Sequence, residues 1–235
     1  MKRAEAINVK VVIPTRNEEF NIAETVSRLQ RIGIDNIHVV DGHSEDGTVE
    51  KAKKLGARVI HQNGKGKGDA LRQAFWESHD SEAVVMMDAD GSMDPEEIPL
   101  LIEALMEGAD VAKGSRFLPL GSSEDITPLR RVGNTILTGL TNLLFLTKYT
   151  DLCYGYMAFK KEALGKLNHF LKGEHFEIEA EICVIAKRIG LRVVEVPSIE
   201  HARKYGQSSL NTVRDGLSIL KLLITESLQG NVLHM

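Results

Sequence analysis

Short apolar runs, each closed by a polar loop, constrain this chain more than any other feature. They are "VKVVIP" (9–14), "IHVVD" (37–41), "ARVIH" (57–61), "AVVMMD" (83–88) and "ADVAKG" (109–114). Runs of that length with β-branched residues suit strands buried on both faces. Between them the spacing turns helical: Ile22, Val26 and Leu29 share one face over 18–32. Further helices are predicted over Thr48 to Leu55, with Asp46 or Thr48 as N-cap and Gly56 as the stop, and over Asp69 to Ser78. Another runs from Pro95 to Met106, with Asp94 as N-cap. Strands and helices alternating at this pitch specify βαβ units. The expected class is α/β, a mostly parallel central sheet with helices on both faces.

Sheets of this kind bind ligands in the loops beyond the carboxyl ends of their strands. Here those loops are "PTRNEE" (14–19), "DGHSEDG" (41–47), "GKGKG" (64–68) and "DADGS" (88–92). If the fourth strand runs to Asp88 and beyond, Asp88 and Asp90 face the same way. Two ionised carboxylates so placed repel by about 3 kcal/mol at a near-surface dielectric, which solvent or a cation relieves. Hard carboxylate oxygens suit Mg2+ or Mn2+, and Mg2+ commonly takes one or two carboxylates together with substrate phosphates. Asp94 already caps the next helix, which leaves Asp88 and Asp90 for a metal. His201 is the candidate third ligand, and a solvated loop is the plainer alternative. "GKGKGD" (64–69) reads as an anion loop or as a flexible turn. Neither G-x-x-x-x-G-K-[ST] nor G-x-G-x-x-G occurs, which argues against P-loop NTPases and dinucleotide enzymes.

The pattern changes after residue 115. A Gly/Ser/Pro-bearing loop (118–127) precedes a helix over 130–147 with Ile136, Leu140, Leu143 and Leu144 on one stripe. "GYMAFKK" (155–161) and "RVVEVP" (192–197) are strand-like, and 177–189 is helical. A long helix from Ser209 to Gln229 carries Leu210, Val213, Leu217, Leu220 and Ile224 in register. Arg116, Arg130, Arg131 and Arg203 lie in loops or helix starts, where arginine suits bidentate phosphate binding; each is equally a plain surface charge.

The net charge of −4 argues against a nucleic-acid partner. Cys153 and Cys183 form neither a metal spacing nor a disulfide framework, and no signal peptide is visible, so a cytoplasmic setting is expected. The uncharged run 132–147 is too short and too polar to span a bilayer. With 210–228 it is amphipathic enough for peripheral association with the cytoplasmic membrane face, although core helices carry the same stripe.

In order and spacing, several segments resemble the family 2 glycosyltransferases of the GT-A fold, and within them the dolichyl-phosphate mannose and glucose synthases. They are "VVIPTRNEE", "VVDGHSEDGT", "GKGDALRQAF", "DADGSMDP", "GSRF", "RRVGN", "DLCYGYMAFKKEAL" and "EVPSIEHARKYGQSSL". The resemblance implies one catalytic domain over 1–235: a nucleotide-sugar half (8–115), an acceptor half (116–210) and a C-terminal helix (211–235). By motif position Pro14, Thr15, Arg16, Glu18, Asp41, Lys67, Asp88 and Ala89 would hold a UDP- or GDP-sugar donor. Asp88 and Asp90 would carry the metal, and Arg116, Arg131, Asn134 and Arg203 would bind phosphate of donor or acceptor. Gly42 stands where many relatives carry a second aspartate, and Ser92 where some carry glutamine.

The implied reaction moves a hexose to a polyprenyl phosphate, whose oxygen is already anionic. A hydroxyl acceptor would need a general base, and Asp151 is best placed for that catalytic role beside Asp90. The alternatives are transfer to a small soluble phosphorylated acceptor, as in glucosyl-3-phosphoglycerate synthases, and a non-catalytic nucleotide-sugar-binding subunit. A pyrophosphorylase would need a glycine-rich loop after the first strand, and "PTRNEE" has none.

Overall fold

The computed structural model describes residues 7–206 and 210–230. The chain begins with β1 (Val9–Thr15), α1 (Ile22–Arg31), β2 (Ile37–Asp41), α2 (Thr48–Lys54), β3 (Arg58–His61), α3 (Lys67–Trp76) and β4 (Ala83–Met86). A 3-10 turn at Pro95–Glu97 leads into α4 (Ile98–Met106) and β5 (Val111–Ser115). There follow β6 (Ser122–Ser123), α5 (Pro128–Phe145), β7 (Met157–Lys160), α6 (Lys161–Asn168), α7 (Ile178–Arg188), β8 (Val193–Pro197), β9 (Ile199–Glu200) and α8 (Thr212–Gly230).

Local chemistry sets the element ends. Asp94 caps its turn by accepting from Glu96 N, Thr127 caps α5 by accepting from Arg130 N, and Gly56 stops α2 at φ +82. Asp46 Oδ1 accepts from Thr48 N at 3.0 Å at the start of α2. Two expectations shift. β4 ends at Met86, and Gly91 at φ +77 turns the chain, so Asp88 and Asp90 sit in a turn past the strand instead of sharing a strand face. α1 starts at Ile22, because residues 18–21 form a turn closed by Ile22 N to Glu18 O at 2.8 Å. Ser209, the expected first residue of the last helix, lies outside the described residues.

Seven strands form one sheet in the order β3-β2-β1-β4-β7-β5-β8. β7 runs antiparallel to both of its neighbours, and the other pairings are parallel. Both faces are covered, as the apolar strands require. On one face Val11, Ile13 and Val85 meet Ile22, Val26 and Leu29 of α1 and Leu101 and Leu105 of α4. On the other, Val12, Val84 and Met86 meet Leu71 and Phe75 of α3, Leu164 of α6, Ile182 of α7 and Leu223 of α8.

The chain steps outward from β1 to β2 and β3, then returns to the opposite side of β1 as β4. Strand order therefore reverses between β1 and β4, where a crevice opens beyond the strand ends. Because β7 is antiparallel, its leading loop (151–156) lies at the same edge, with Met157 level with Met86.

Candidate active site

Two cavities meet at this edge. The larger, about 510 Å³, is lined by Pro14 and Thr15 at the end of β1, Arg16 and Glu18 after it, Gly42 after β2, Gln62 after β3, and Ala89. The smaller, about 170 Å³, runs between α5 and α8 past Arg130, Gly133, Leu137, Gly216 and Ile219. Lys67, Asp88, Asp90, Phe176 and Arg203 line both.

Each carboxylate at the junction already faces a protein cation. Lys67 Nζ lies 2.6 Å from Asp88 Oδ1 and 2.6 Å from Glu179 Oε1. Burial opposes the Lys67 charge, but these two carboxylates outweigh it and keep the ammonium protonated well above the usual lysine range. Burial pushes the Glu179 carboxyl upward against the pull of Lys67. Arg203 donates to Asp90 Oδ2 at 2.5 Å and to Glu18 Oε1 at 3.4 Å. Asp90 Oδ1 accepts from Ser92 N and Oγ at 3.0 and 2.8 Å, which fixes its orientation. Among the described residues no three of His, Cys, Asp and Glu converge as a ligand set. The pair nonetheless offers two hard oxygens beside a cavity, a donor set that fits Mg2+ or Mn2+ when substrate phosphates supply the rest.

Asp151 does not fit the role of general base. Its side chain is fully buried and its oxygens are saturated. Oδ2 accepts from Arg116 N and Nε at 3.2 and 2.7 Å, and Oδ1 from Arg116 Nη2 and Asn134 Nδ2 at 3.0 and 2.9 Å. Burial raises its pKa, but the Arg116 hydrogen bonds and charge outweigh that and hold it below the usual carboxylate value. Arg116 is equally committed, with Nη1 donating to both oxygens of Glu200 at 3.1 Å. Asn134 accepts from Cys153 N at 3.0 Å and ties the 151–156 loop to α5. Arg116 and Asn134 line the smaller cavity with their polar groups committed to Asp151, Glu200 and Cys153 N, so they supply no free groups to it.

Other candidates also move. His201 faces Asp94 and Glu124, each at 3.7 Å, its backbone N donates to Ser92 O, and it lines neither cavity. Arg131 is exposed and stacks over the Phe117 ring at 5.2 Å, while its neighbour Arg130 turns into the smaller cavity. One residue along a helix is a rotation of about 100°, which decides between them. Arg130 donates to Thr212 Oγ1 and to the Leu210 carbonyl. Among the described residues no carboxylate pairs with it. Asp41 is buried and organises its own turn by accepting from Ser44 N; Gly42 and His43 reach the cavity instead.

"GKGKG" is not an open anion loop. Gly68 N and Asp69 N, at the start of α3, donate to Glu174 O at 2.9 and 3.2 Å. A Cβ on Gly66 would stand 2.2 Å from that carbonyl, and one on Gly68 would stand 2.4 Å from Gly173 O. The glycines admit the 173–175 segment, which takes the helix N–H groups a phosphate would need. A Cβ on Gly155 would lie 2.5 Å from Glu179 Oε1, so that glycine makes room for the Lys67–Glu179 pair. Glu179 and Gln62 escaped the sequence reading. The signal for Glu179 was a pair of acidic residues, with Glu181, inside the otherwise apolar α7.

Residues 10–167 match the family described as "Glycosyl transferase family 2". The "Glycosyltransferase AglJ" of Haloferax volcanii is 34% identical over 209 residues, covering 88% of this chain and 68% of that protein. A "Dolichyl-phosphate hexose transferase" of the same organism is 30% identical over 224 residues, covering 94% and 95% of the two chains. Among solved structures, glucosyl-3-phosphoglycerate synthase from Mycobacterium tuberculosis, in complex with Mn2+, UDP and glucosyl-3-phosphoglycerate, superimposes with a TM-score of 0.75. That match has 21% identity and covers 94% of this chain and 80% of the other, a likeness of fold.

Proposed function

The chain belongs to glycosyl transferase family 2, and from that premise we propose that it moves a hexose from a UDP- or GDP-sugar to a polyprenyl phosphate. The single observation that carries the reading is the junction: one cluster of two aspartates, Lys67 and Arg203 between two cavities. A transferase needs two substrates to meet at one charged point. The larger cavity has the size of a nucleotide-sugar site. A dolichyl-phosphate hexose transferase among the relatives supports the lipid acceptor.

Asp88 and Asp90 would hold Mg2+ or Mn2+, which when bound neutralises a diphosphate leaving group. Lys67 and Arg203 are charged groups within reach of the same phosphates. Arg130 would bind the acceptor phosphate at the smaller cavity, since its charge is uncommitted among the described carboxylates. One acceptor oxygen attacks the anomeric carbon, the bond from that carbon to the diphosphate oxygen breaks, and the nucleoside diphosphate leaves with the electron pair. A phosphate monoester with a second pKa of about 6 is anionic at pH 7, so no general base is required. The saturated Asp151 is consistent with that economy. A single displacement inverts the configuration at the anomeric carbon.

The outer faces of α5 and α8 support a membrane-resting acceptor. Leu129, Val132, Ile136 and Leu143 on α5, with Val213, Leu217, Ile224 and Leu228 on α8, are exposed. No helix among the described residues is long and apolar enough to cross a membrane, and these faces suit the interface plane.

The test uses purified protein, Mn2+, polyprenyl phosphate, 3-phosphoglycerate as a soluble phosphorylated acceptor, and a panel of labelled UDP- and GDP-hexoses. Label entering the lipid phase, and falling by about 10³-fold in Asp90→Asn, is the expected result. Label found only on a soluble phosphorylated acceptor, or no transfer from any donor, overturns the lipid reading.

A further inference from the structure

At the end of the larger cavity away from Asp88 and Asp90, Gly42 and Gln62 come together. Gln62 is almost fully buried, yet only half of its amide is used. Nε2 donates to Gly66 O at 2.8 Å and to Asp69 Oδ2 at 2.9 Å. Both partners only accept, so the amide cannot be turned over, and Oε1 must face the other way. No described residue donates to that oxygen. It points at Gly42, where a Cβ would stand 3.0 Å away. A fixed acceptor thus faces the cavity beside Gly42, open to a donor on a ligand.

We propose that Gln62 reads the nucleobase: its Oε1 accepts the ring imino N–H of uracil or guanine. Uracil and guanine share that N–H beside a carbonyl. Adenine and cytosine present a ring-nitrogen lone pair at the equivalent edge, which would oppose the Gln62 oxygen. The inference rests on the donor reading given above. With the diphosphate at the aspartate end, the base falls at the Gln62 end.

The experiment is titration calorimetry of the full chain with Mn2+ and UDP, GDP, N3-methyl-UDP, N1-methyl-GDP, ADP and CDP. The expected wild-type result is that UDP or GDP binds at least about tenfold more tightly than its N-methyl analogue, the worth of one lost hydrogen bond and the methyl that replaces it. Gln62→Leu removes that preference while Mn2+-pyrophosphate binding is unchanged. Gly42→Ala places a methyl against the same oxygen and keeps both Nε2 donations, so it decides the matter if Gln62→Leu does not fold; it too should lose the preference. A folded Gln62→Leu or Gly42→Ala that keeps it, a wild type blind to N-methylation, or a preference for ADP or CDP overturns the inference and leaves nucleotide binding standing. No affinity for any nucleotide overturns both.

Discussion

Arg203 Nη2 lies 2.5 Å from Asp90 Oδ2, so the protein's own guanidinium occupies an oxygen of the aspartate proposed to hold a divalent cation. The arginine reaches it from the segment after β9, which Asn21 Nδ2 also holds through the Tyr205 carbonyl at 3.2 Å. On that proposal, cation binding at Asp90 and the Arg203 pair would compete. In Arg203→Gln the Mn2+ dissociation constant measured without nucleotide should fall about three- to tenfold, since a charge-assisted contact no longer has to be broken. Equilibrium dialysis with Mn2+ reads this directly, and an unchanged or weaker affinity would refute the competition.

Asp151→Asn should behave as a stability variant. It leaves the buried Arg116 short of its closest counter-charge, which costs about 3 kcal/mol and lowers Tm by roughly 6–12 °C in a chain of this size. The pH dependence follows from the lowered carboxyl pKa. Such a group contributes fully above the ordinary carboxylate value of about 3.9 and loses its contribution as pH falls through the folded value. The Tm gap between wild type and variant should be widest near neutrality and close below about pH 4. A loss of kcat with an unchanged Tm would restore Asp151 as a base.

Arg130 and Arg131 separate cleanly by kinetics. Arg130→Ala should raise the acceptor KM by about 10- to 100-fold, the worth of a hydrogen bond between charged groups, with UDP or GDP affinity unaffected. Arg131→Ala, exposed over Phe117, should change it less than about twofold. Equal effects would remove the distinction.

The apolar faces of α5 and α8 predict vesicle binding. Ile136 and Leu217 are 64% and 61% exposed, so Ile136→Asp and Leu217→Asp should leave Tm within about 2 °C. Each should cut flotation with anionic vesicles severalfold, because the charge must enter the interface. Wild type that fails to float, or variants that float equally well, would exclude this face as the contact.

Much of the site was legible in the chain because strand ends are. Pro14, Thr15, Arg16, Glu18, Lys67, Asp88, Ala89, Asp90 and Arg203 share one cavity wall, and all but Arg203 lie at the end of the first strand or in the loops and helix start that follow the first, third and fourth strands. The local signals at Asp94 and Gly56 also match the structure, since caps and positive-φ glycines depend on neighbours a few residues away.

The state of each charge was not legible. Asp151 and Arg116 both looked like functional groups, and each cancels the other across 35 positions. Lys67 finds Glu179 across 112 positions, and Arg203 finds Asp90 across 113. Arg130 and Arg131 are indistinguishable in sequence until α5 is seated against α8. The amino-acid sequence by itself determined the alternating α/β plan and the sheet edge where polar loops gather, because periodicity and turn chemistry act locally. Only the tertiary structure decided which of those polar groups remain available, because a side chain's charge and solvation are set by the partners that packing brings within hydrogen-bond distance.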